Sequence, residues 1–463
     1  MAIVIPPTQL EIYLFWYFFG INFVYTVLLV LGSFAVYRRR KEIKIEDFTT
    51  ILHSSTLPQI TFILPVFNEE KNVMPCLSSI FNLSYRYKRI ICINDGSTDK
   101  TMDVLTKELN LVKIPNFLTE GLGTAEILQV YRSKNYPDVI VIDKCHKGKY
   151  DCLNLGVNVC KDPYFIAVDA DTFIDDKGFE AIIRPMLSYP ETVAVGATVR
   201  IKNGCTLDFN RINTKKISFG LWPMFQGLEY LRSFLQRQGW NYLGGNFVIA
   251  GAFSIFPTEL IKKLGGFVDS VAEDMEIIIR LHHQLRKKKK KYRIFYLSDP
   301  VAWTQGPSTY KALSKQRVNW QWGMLESLYC HKSMFLNPRY GFLGFFNFPF
   351  WVIGEALEPV FEALGYILLI TAWFYGYLNT SFFLMLIAVS FGFMIVYSLV
   401  CLLIEELSYK KYVSIKAILM MLFMAAIENF GYRQMMIYWR LKGFIKFFKN
   451  FKHTQQESKK INK

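Results

Sequence analysis

Apolar positions along the chain form two kinds of run: long uncharged stretches toward the two ends and short, strand-length ones through the middle. Ile12 to Tyr37 is 26 residues without a charge. A helix rises about 1.5 Å per residue, so this run can cross a hydrocarbon core of about 30 Å with some tilt. It has no basic segment before it and ends in Arg38, Arg39, Arg40 and Lys41. A cleaved signal peptide has the opposite polarity, and Lys and Arg mark the cytoplasmic flank. Residues 1–40 are therefore expected to form a membrane helix with its N-terminus outside and the following domain inside.

The second apolar block spans residues 340–431. Tyr340 to Gly354, rich in Phe, reads as interfacial. Ala363 to Ile404 is 42 residues without a charge, broken by Gly376-Tyr377-Leu378-Asn379-Thr380. That break predicts two spans joined by a tight outer turn. Ala417 to Ile427 offers only 11 uncharged residues, short for a crossing, and a full crossing would place the basic tail outside. Three spans are expected, with four as the alternative. Glu355, Glu358 and Glu362 share one helical face; they either line a route for a polar product or pair with basic groups at the membrane border. From Tyr432 to Lys463, nine Lys or Arg accompany one Glu, with aromatic residues interleaved. This tail, residues 432–463, reads as a basic amphipathic helix on the cytosolic membrane surface.

Between them, residues 56–335 alternate β-branched or aromatic runs with helical stretches. Gln59–Pro65, Lys88–Asn94, Asp138–Asp143, Tyr164–Asp169 and Thr192–Ile201 predict strands; Thr101–Leu109, Tyr150–Val159 and Lys177–Leu187 predict helices. Short apolar strands with intervening helices argue for an α/β domain with a mostly parallel, Rossmann-like sheet covered on both faces. Ligands then bind beyond the carboxyl ends of the strands.

Composition agrees with a membrane-attached chain rather than a disordered or purely soluble one: 52% of residues are hydrophobic and the net charge is +16. The eight cysteines form no CxxC pair, so neither a disulfide framework nor structural zinc is supported. Lys287 to Lys291 is the best feature a nucleic-acid binder could offer, and it reads instead as a solvated loop facing anionic lipid. No nucleic-acid partner is expected.

The strand ends carry the chemistry. The first ends in Pro65-Val66-Phe67-Asn68-Glu69-Glu70, the second in Asn94-Asp95-Gly96-Ser97-Thr98-Asp99. The third leads to Gly148-Lys149-Tyr150-Asp151, and the fourth ends in Asp169-Ala170-Asp171-Thr172. Asp169 and Asp171 flank a small residue, which suits a hard cation, Mg2+ or Mn2+, shared with substrate phosphates. Lys149 is a point charge for those phosphates. No GxxxxGK[ST] loop exists, and Gly121-Leu122-Gly123 lacks the dinucleotide spacing, which disfavours a Walker-type ATPase and a dehydrogenase. The run Gly244 to Phe253 is glycine-rich within an apolar stretch, either for a close backbone approach or for tight packing. Glu273-Asp274 and Gln316-Arg317-Val318-Asn319-Trp320 follow.

In this order the elements resemble the membrane-integrated family 2 glycosyltransferases of the cellulose, hyaluronan and poly-N-acetylglucosamine synthase type. The resemblance covers most of the chain and implies a GT-A fold, in a cytosolic domain inserted between transmembrane helices at the cell membrane. It implies that Pro65, Asn68, Glu69, Asp95, Lys149 and Asp169 hold a UDP-sugar donor, and that Asp169 and Asp171 are the metal-holding DxD pair. Asp274 matches the general base of the TED motif, although Ala272 replaces its Thr. Gly251, Ala252, Gln316, Arg317 and Trp320 match the acceptor side. Asn94 stands where the family often has Asp. Asn319 replaces the Arg of QxxRW, with Arg317 as a stand-in cation two residues away, and Trp322 is an unusual neighbour after Gln321. These departures bear on processive polymerisation rather than on sugar transfer itself. The implied activity is inverting transfer to a growing glycan, the alternative a single sugar added to a membrane lipid. The implied partners are the donor, a glycan or lipid acceptor and membrane lipids; an accessory subunit is not identified.

Overall fold

The computed structural model describes residues 7–45, 57–116, 121–203, 206–208, 211–213, 220–376, 380–409 and 415–461. The chain divides into two compact units, one comprising residues 39–218 and 246–306, the other 1–38, 219–245 and 307–463.

The first unit is built on a sheet. Its strands, in chain order, are β1 Ile60–Val66, β2 Lys88–Asn94, β3 Leu111–Ile114, β4 Ile127–Ser133, β5 Val139–Lys144, β6 Tyr164–Val168 and β7 Phe173–Ile174. They continue with β8 Thr192–Ile201, β9 Thr206–Asp208, β10 Arg211–Asn213, β11 Phe253–Pro257 and β12 Arg293–Thr304. Ten of them form one sheet in the order β3-β4-β5-β2-β1-β6-β11-β8-β12-β7, while β9 and β10 pair as a separate ribbon. The core β5-β2-β1-β6 is parallel, as is β8-β12. β4, β11 and β7 run against the rest.

β1 and β2 are buried on both faces, so their sequences are nearly continuous apolar runs rather than alternating ones. Phe62, Leu64, Val66, Val168, Ile255 and Val301 meet Leu77, Ile80, Phe179 and Ile183 of the covering helices in one core. The expected strand Lys88–Asn94 and helix Thr101–Leu109 have the observed bounds. The strand β12 crosses Pro300 at a break in its register with β8. The antiparallel strand β11 was not expected; it carries the glycine-rich stretch against the end of β6.

The second unit is helical. The helix Pro7–Ile45 holds an apolar span over Ile12–Lys41, and Thr380–Tyr409 holds another over Phe391–Ser408. Leu343–Ala356 and Glu358–Phe374 form a pair bent by 44° that counts as a third span if taken as one. The described residues thus give two helices long and apolar enough to cross a membrane, or up to three. Of the outer turn expected at 376–380, residues 377–379 lie outside the described residues.

The tail helix Tyr432–Lys449, expected as a basic amphipathic helix on the membrane surface, packs one of its faces on the helical unit. Trp439 is fully buried, Arg440 reaches Glu358 at 2.7 Å and Gln321 at 2.9 Å, and Arg433 pairs with Glu362. Apolar packing and buried charge pairing hold one face against protein, while Tyr438, Ile445 and Phe448 stay exposed. Tyr25 donates to Glu355 at 3.0 Å. Glu358 and Glu362 thus pair with basic groups, as one of the two readings has it, while Glu355 accepts from a tyrosine hydroxyl.

Candidate functional site

Three strand ends and a helix start converge in the sheet unit. Gly148 precedes the helix Lys149–Val159 with φ of 107°, a left-handed value that suits glycine, and its N–H donates to Asp95 Oδ2 at 2.8 Å. That turn delivers Lys149 at the first helical position. Its ammonium lies 2.7 Å from Asp169 Oδ1 and 2.8 Å from Glu273 Oε1, and donates to the Gly251 carbonyl at 3.3 Å. Burial works against the charge, but the carboxylates of Asp169 and Glu273 outweigh it and hold the Lys149 pKa well above the usual lysine range.

Asp169 follows β6, and its N–H donates to the Ala252 carbonyl at 3.3 Å, so the antiparallel β11 fixes Gly251 and Ala252 beside the first aspartate. A Cβ at Gly251 would sit 2.8 Å from Asp274 Oδ2. The glycine is there because the Asp274 carboxylate occupies the space a side chain would need. Asp274 lies in the first turn of the helix Glu273–Lys287. Lys149, Asp169, Gly251, Glu273 and Asp274 therefore form one cluster. Glu273 was not among the predicted site residues; its only sequence signal was adjacency to Asp274, since pairing with Lys149 depends on the fold.

Asp171 accepts from Thr304 Oγ1 at 3.0 and 3.1 Å, and its carbonyl accepts from Lys202 Nζ at 2.5 Å. Burial and the charge of Asp169 both push its carboxyl upward. Two carboxylates that repel each other at a strand end are a donor set that a hard divalent cation fits, because the cation relieves that repulsion. Glu69 belongs to the same electrostatic neighbourhood: burial raises its carboxyl, with Asp171 and Asp169 adding to the effect despite a 2.7 Å hydrogen bond from Asn72.

Asn68 and Asp95 have structural duties. Asn68, at φ of 57°, accepts from the Thr98 N–H at 2.8 Å and donates its own N–H to Ser97 at 3.0 Å, clasping the β1 and β2 ends together. Pro65 pairs with Ile93 in the ladder just before them. Asp95 is buried and accepts from Lys144, from the Lys147 N–H at 3.0 Å and from Gly148. Burial alone would raise its carboxyl; these donors outweigh burial and hold it below the ordinary range. Lys144, with no exposed side chain, also meets Asp151 at 3.0 Å.

Gln316, Arg317 and Trp320 lie on the helix Tyr310–Cys330, which belongs to the helical unit, whereas the sequence reading carried the sheet domain to residue 335. Gln316 accepts from Gln226 at 2.9 Å. Arg317 is buried, paired with Glu229, and lies 4.3 Å over the Trp320 ring, which is itself exposed. Its guanidinium is thereby engaged within the helical unit. Asn319 accepts instead from Lys446 at 2.9 Å.

Comparison with known proteins places this arrangement. The family model described as "Glycosyl transferase family group 2" matches residues 164–404, and a second, "Glycosyl transferase family 2", matches residues 61–117. A poly-β-1,6-N-acetyl-D-glucosamine synthase of Staphylococcus epidermidis is 29% identical over 271 residues, covering 58% of this chain and 55% of the relative. The chain thus spans about half the length of that relative. The enzyme of the same name from Staphylococcus aureus is 27% identical over 319 residues, covering 67% of this chain and 66% of the other. Among solved structures, a mannosyltransferase of Pyrobaculum calidifontis in complex with GDP-Man and Mn2+ superposes with a TM-score of 0.51. It is 16% identical, and the match covers 89% of this chain and 99% of that one. At that identity the likeness establishes the fold, which is GT-A.

Proposed function

Because the chain belongs to glycosyl transferase family group 2, we propose that it transfers a glycosyl group from a nucleoside-diphosphate sugar to an acceptor hydroxyl, with inversion at the anomeric carbon. The observation that carries this reading is the cluster in which Lys149 joins Asp169 and Glu273 beside Asp274. The proposed donor is a UDP-sugar and the product a polysaccharide, in keeping with the names of the staphylococcal relatives. Transfer takes place at the cytosolic face of a membrane that the apolar helices cross more than once.

In this mechanism the diphosphate lies against Lys149, which exchanges a carboxylate partner for a phosphate oxygen. Asp169 and Asp171 would hold a Mg2+ or Mn2+ ion, which supplies positive charge to the departing diphosphate. Asp274 accepts the proton of the acceptor hydroxyl. The hydroxyl oxygen forms its bond to the anomeric carbon as the bond to the diphosphate oxygen breaks, and the electron pair leaves with the diphosphate. A positioned base contributes about 10²–10⁴-fold to such a step.

A second reading is transfer of a single sugar to a membrane lipid. It is favoured by Asn319 in the QxxRW position, engaged with Lys446 while Arg317 is engaged with Glu229.

Purified full-length protein in lipid nanodiscs, given UDP- and GDP-sugars with Mn2+ or Mg2+, tests both. A ladder of oligomers supports the synthase and a single glycolipid the second reading. Absence of both transfer and donor hydrolysis across the panel overturns the enzyme assignment.

A further inference from the structure

Beside the Lys149 cluster, an aromatic pair stands at the mouth of the same strand ends. Phe67 follows β1, His146 follows β5, and their rings stack with centroids 4.4 Å apart and planes 28° apart. Both are open to solvent, Phe67 at 43% and the His146 side chain at 56%. Two stacked, half-exposed rings leave apolar area uncovered, which a flat ligand would cover.

The state of the imidazole follows from its neighbours. His146 Nδ1 lies 2.8 Å from Asp95 Oδ2 and 2.9 Å from the Asp95 carbonyl oxygen. Both atoms are acceptors only, so Nδ1 carries the hydrogen and, in the neutral ring, Nε2 carries a lone pair. Among the described residues, Nε2 takes no hydrogen bond. Asp95 is in turn fixed by Lys144 and by the N–H groups of Lys147 and Gly148, and Lys144 by Asp151. The buried carboxylate therefore orients the ring, and the ring presents the open hydrogen-bonding edge.

Resting on the nucleotide-sugar reading, we propose that His146 is a specificity-determining residue that reads the donor's base. Nε2 accepts a ring N–H on the pairing edge of a base lying in the plane of the imidazole, while Phe67 gives the base an apolar surface. Uracil and guanine carry such an N–H. Cytosine and adenine place a lone pair there, which would face that of Nε2. Asp95, whose oxygens are already engaged, acts through His146 as a positioning residue. The Gly148-Lys149 turn begins two residues after His146, so base and diphosphate readers share one loop.

The test compares binding of UDP with CDP, and of GDP with ADP, to the full chain in nanodiscs with Mn2+, for wild type and His146→Phe. The variant keeps an aromatic ring and removes the acceptor; a thermal melt checks its folding, and His146→Gln, which retains an acceptor, is the control. Wild type should prefer UDP over CDP, or GDP over ADP, by about tenfold, the size of one hydrogen bond. His146→Phe should bring that ratio close to one, and His146→Gln should restore part of it. A ratio that survives in His146→Phe, or a wild type without preference, overturns the role of His146 and leaves the transferase reading standing. Failure of the wild type to bind any of the four nucleotides defeats the donor reading itself, and this inference with it.

Discussion

Lys149 Nζ stands 2.7 Å from Asp169 Oδ1, tying the first residue of the helix after β5 to the residue that follows β6. Under the proposed function, Asp169 and Glu273 hold this lysine until the phosphate oxygens of the donor compete for it. Lys149→Met should weaken nucleotide binding by about 10- to 100-fold, as expected when a charge-assisted contact of about 1.5–3 kcal/mol is lost. About a third of the side chain is exposed, so the thermal midpoint should hardly move. Nucleotide titration beside a melting curve separates the two effects, and unchanged affinity would remove Lys149 from the donor site.

Asp274 and Gly251 are coupled sterically. Asp274→Asn should leave nucleotide affinity intact while transfer falls by about 10²–10⁴-fold, the contribution of a positioned base. Gly251→Ala should act through the same carboxylate, because the added methyl would meet Asp274 Oδ2 at 2.8 Å and Cγ at 3.1 Å. Its signature is a fall in turnover larger than the rise in donor KM. A Gly251→Ala enzyme with wild-type turnover would show that the exact position of Asp274 is immaterial.

Much of this arrangement is legible without coordinates, because parallel strands buried on both faces write themselves as apolar runs and end in polar residues. The DxD pair and Lys149 are visible in that way, whereas Asp274, in the first turn of a helix, stands out only through the family resemblance. What is not visible is who pairs with whom. Glu273 gains its meaning only when β11 turns back antiparallel to β6 and brings Gly251 and the Lys149 ammonium together. β11 itself is five residues following a glycine-rich run, where local propensity speaks for a turn. His146 carries no local motif either; its tautomer is set by Asp95, brought to it by the parallel pairing of β2 with β5.

His282 predicts a pH effect on stability separate from catalysis. It is buried on the helix Glu273–Lys287, with Nε2 3.1 Å from the Asn246 carbonyl and Nδ1 2.7 Å from the Tyr292 hydroxyl. Burial lowers its pKa from 6.5 to about 4, with the Arg286 charge adding to the effect. Between those values the unfolded chain binds a proton that the folded chain refuses, so stability rises with pH across the window and is lost as pH falls through it. At about 1.4 kcal/mol per pH unit, the full change is about 3 kcal/mol. Unfolding midpoints of the full chain from pH 4 to 7 should slope accordingly, and His282→Gln should flatten the slope. An equally steep slope in the variant would assign the dependence to other groups.

Arg440 decides whether the C-terminal helix is part of the folded helical unit or a lipid-facing appendage. Its guanidinium holds Glu358 at 2.7 Å, Gln321 at 2.9 Å and the Glu355 carbonyl, so one side chain joins the tail to the bent segment and to the helix bearing Trp320. Removing one partner of a buried pair costs about 3–5 kcal/mol; with a fifth of each side chain exposed here, about 2–3 kcal/mol is expected for Arg440→Ala. Glu358→Gln alone should cost less, because a neutral amide can still accept from the guanidinium. The double variant should cost less than the sum, since the pair is already broken in each single one. A tail that only rested on lipid would give no loss for Arg440→Ala in detergent and no coupling to Glu358, whatever the anionic lipid content. Melting midpoints of the four proteins in neutral detergent therefore discriminate between the two, because electrostatic attraction to a bilayer is absent there and only the intramolecular pair remains to be lost.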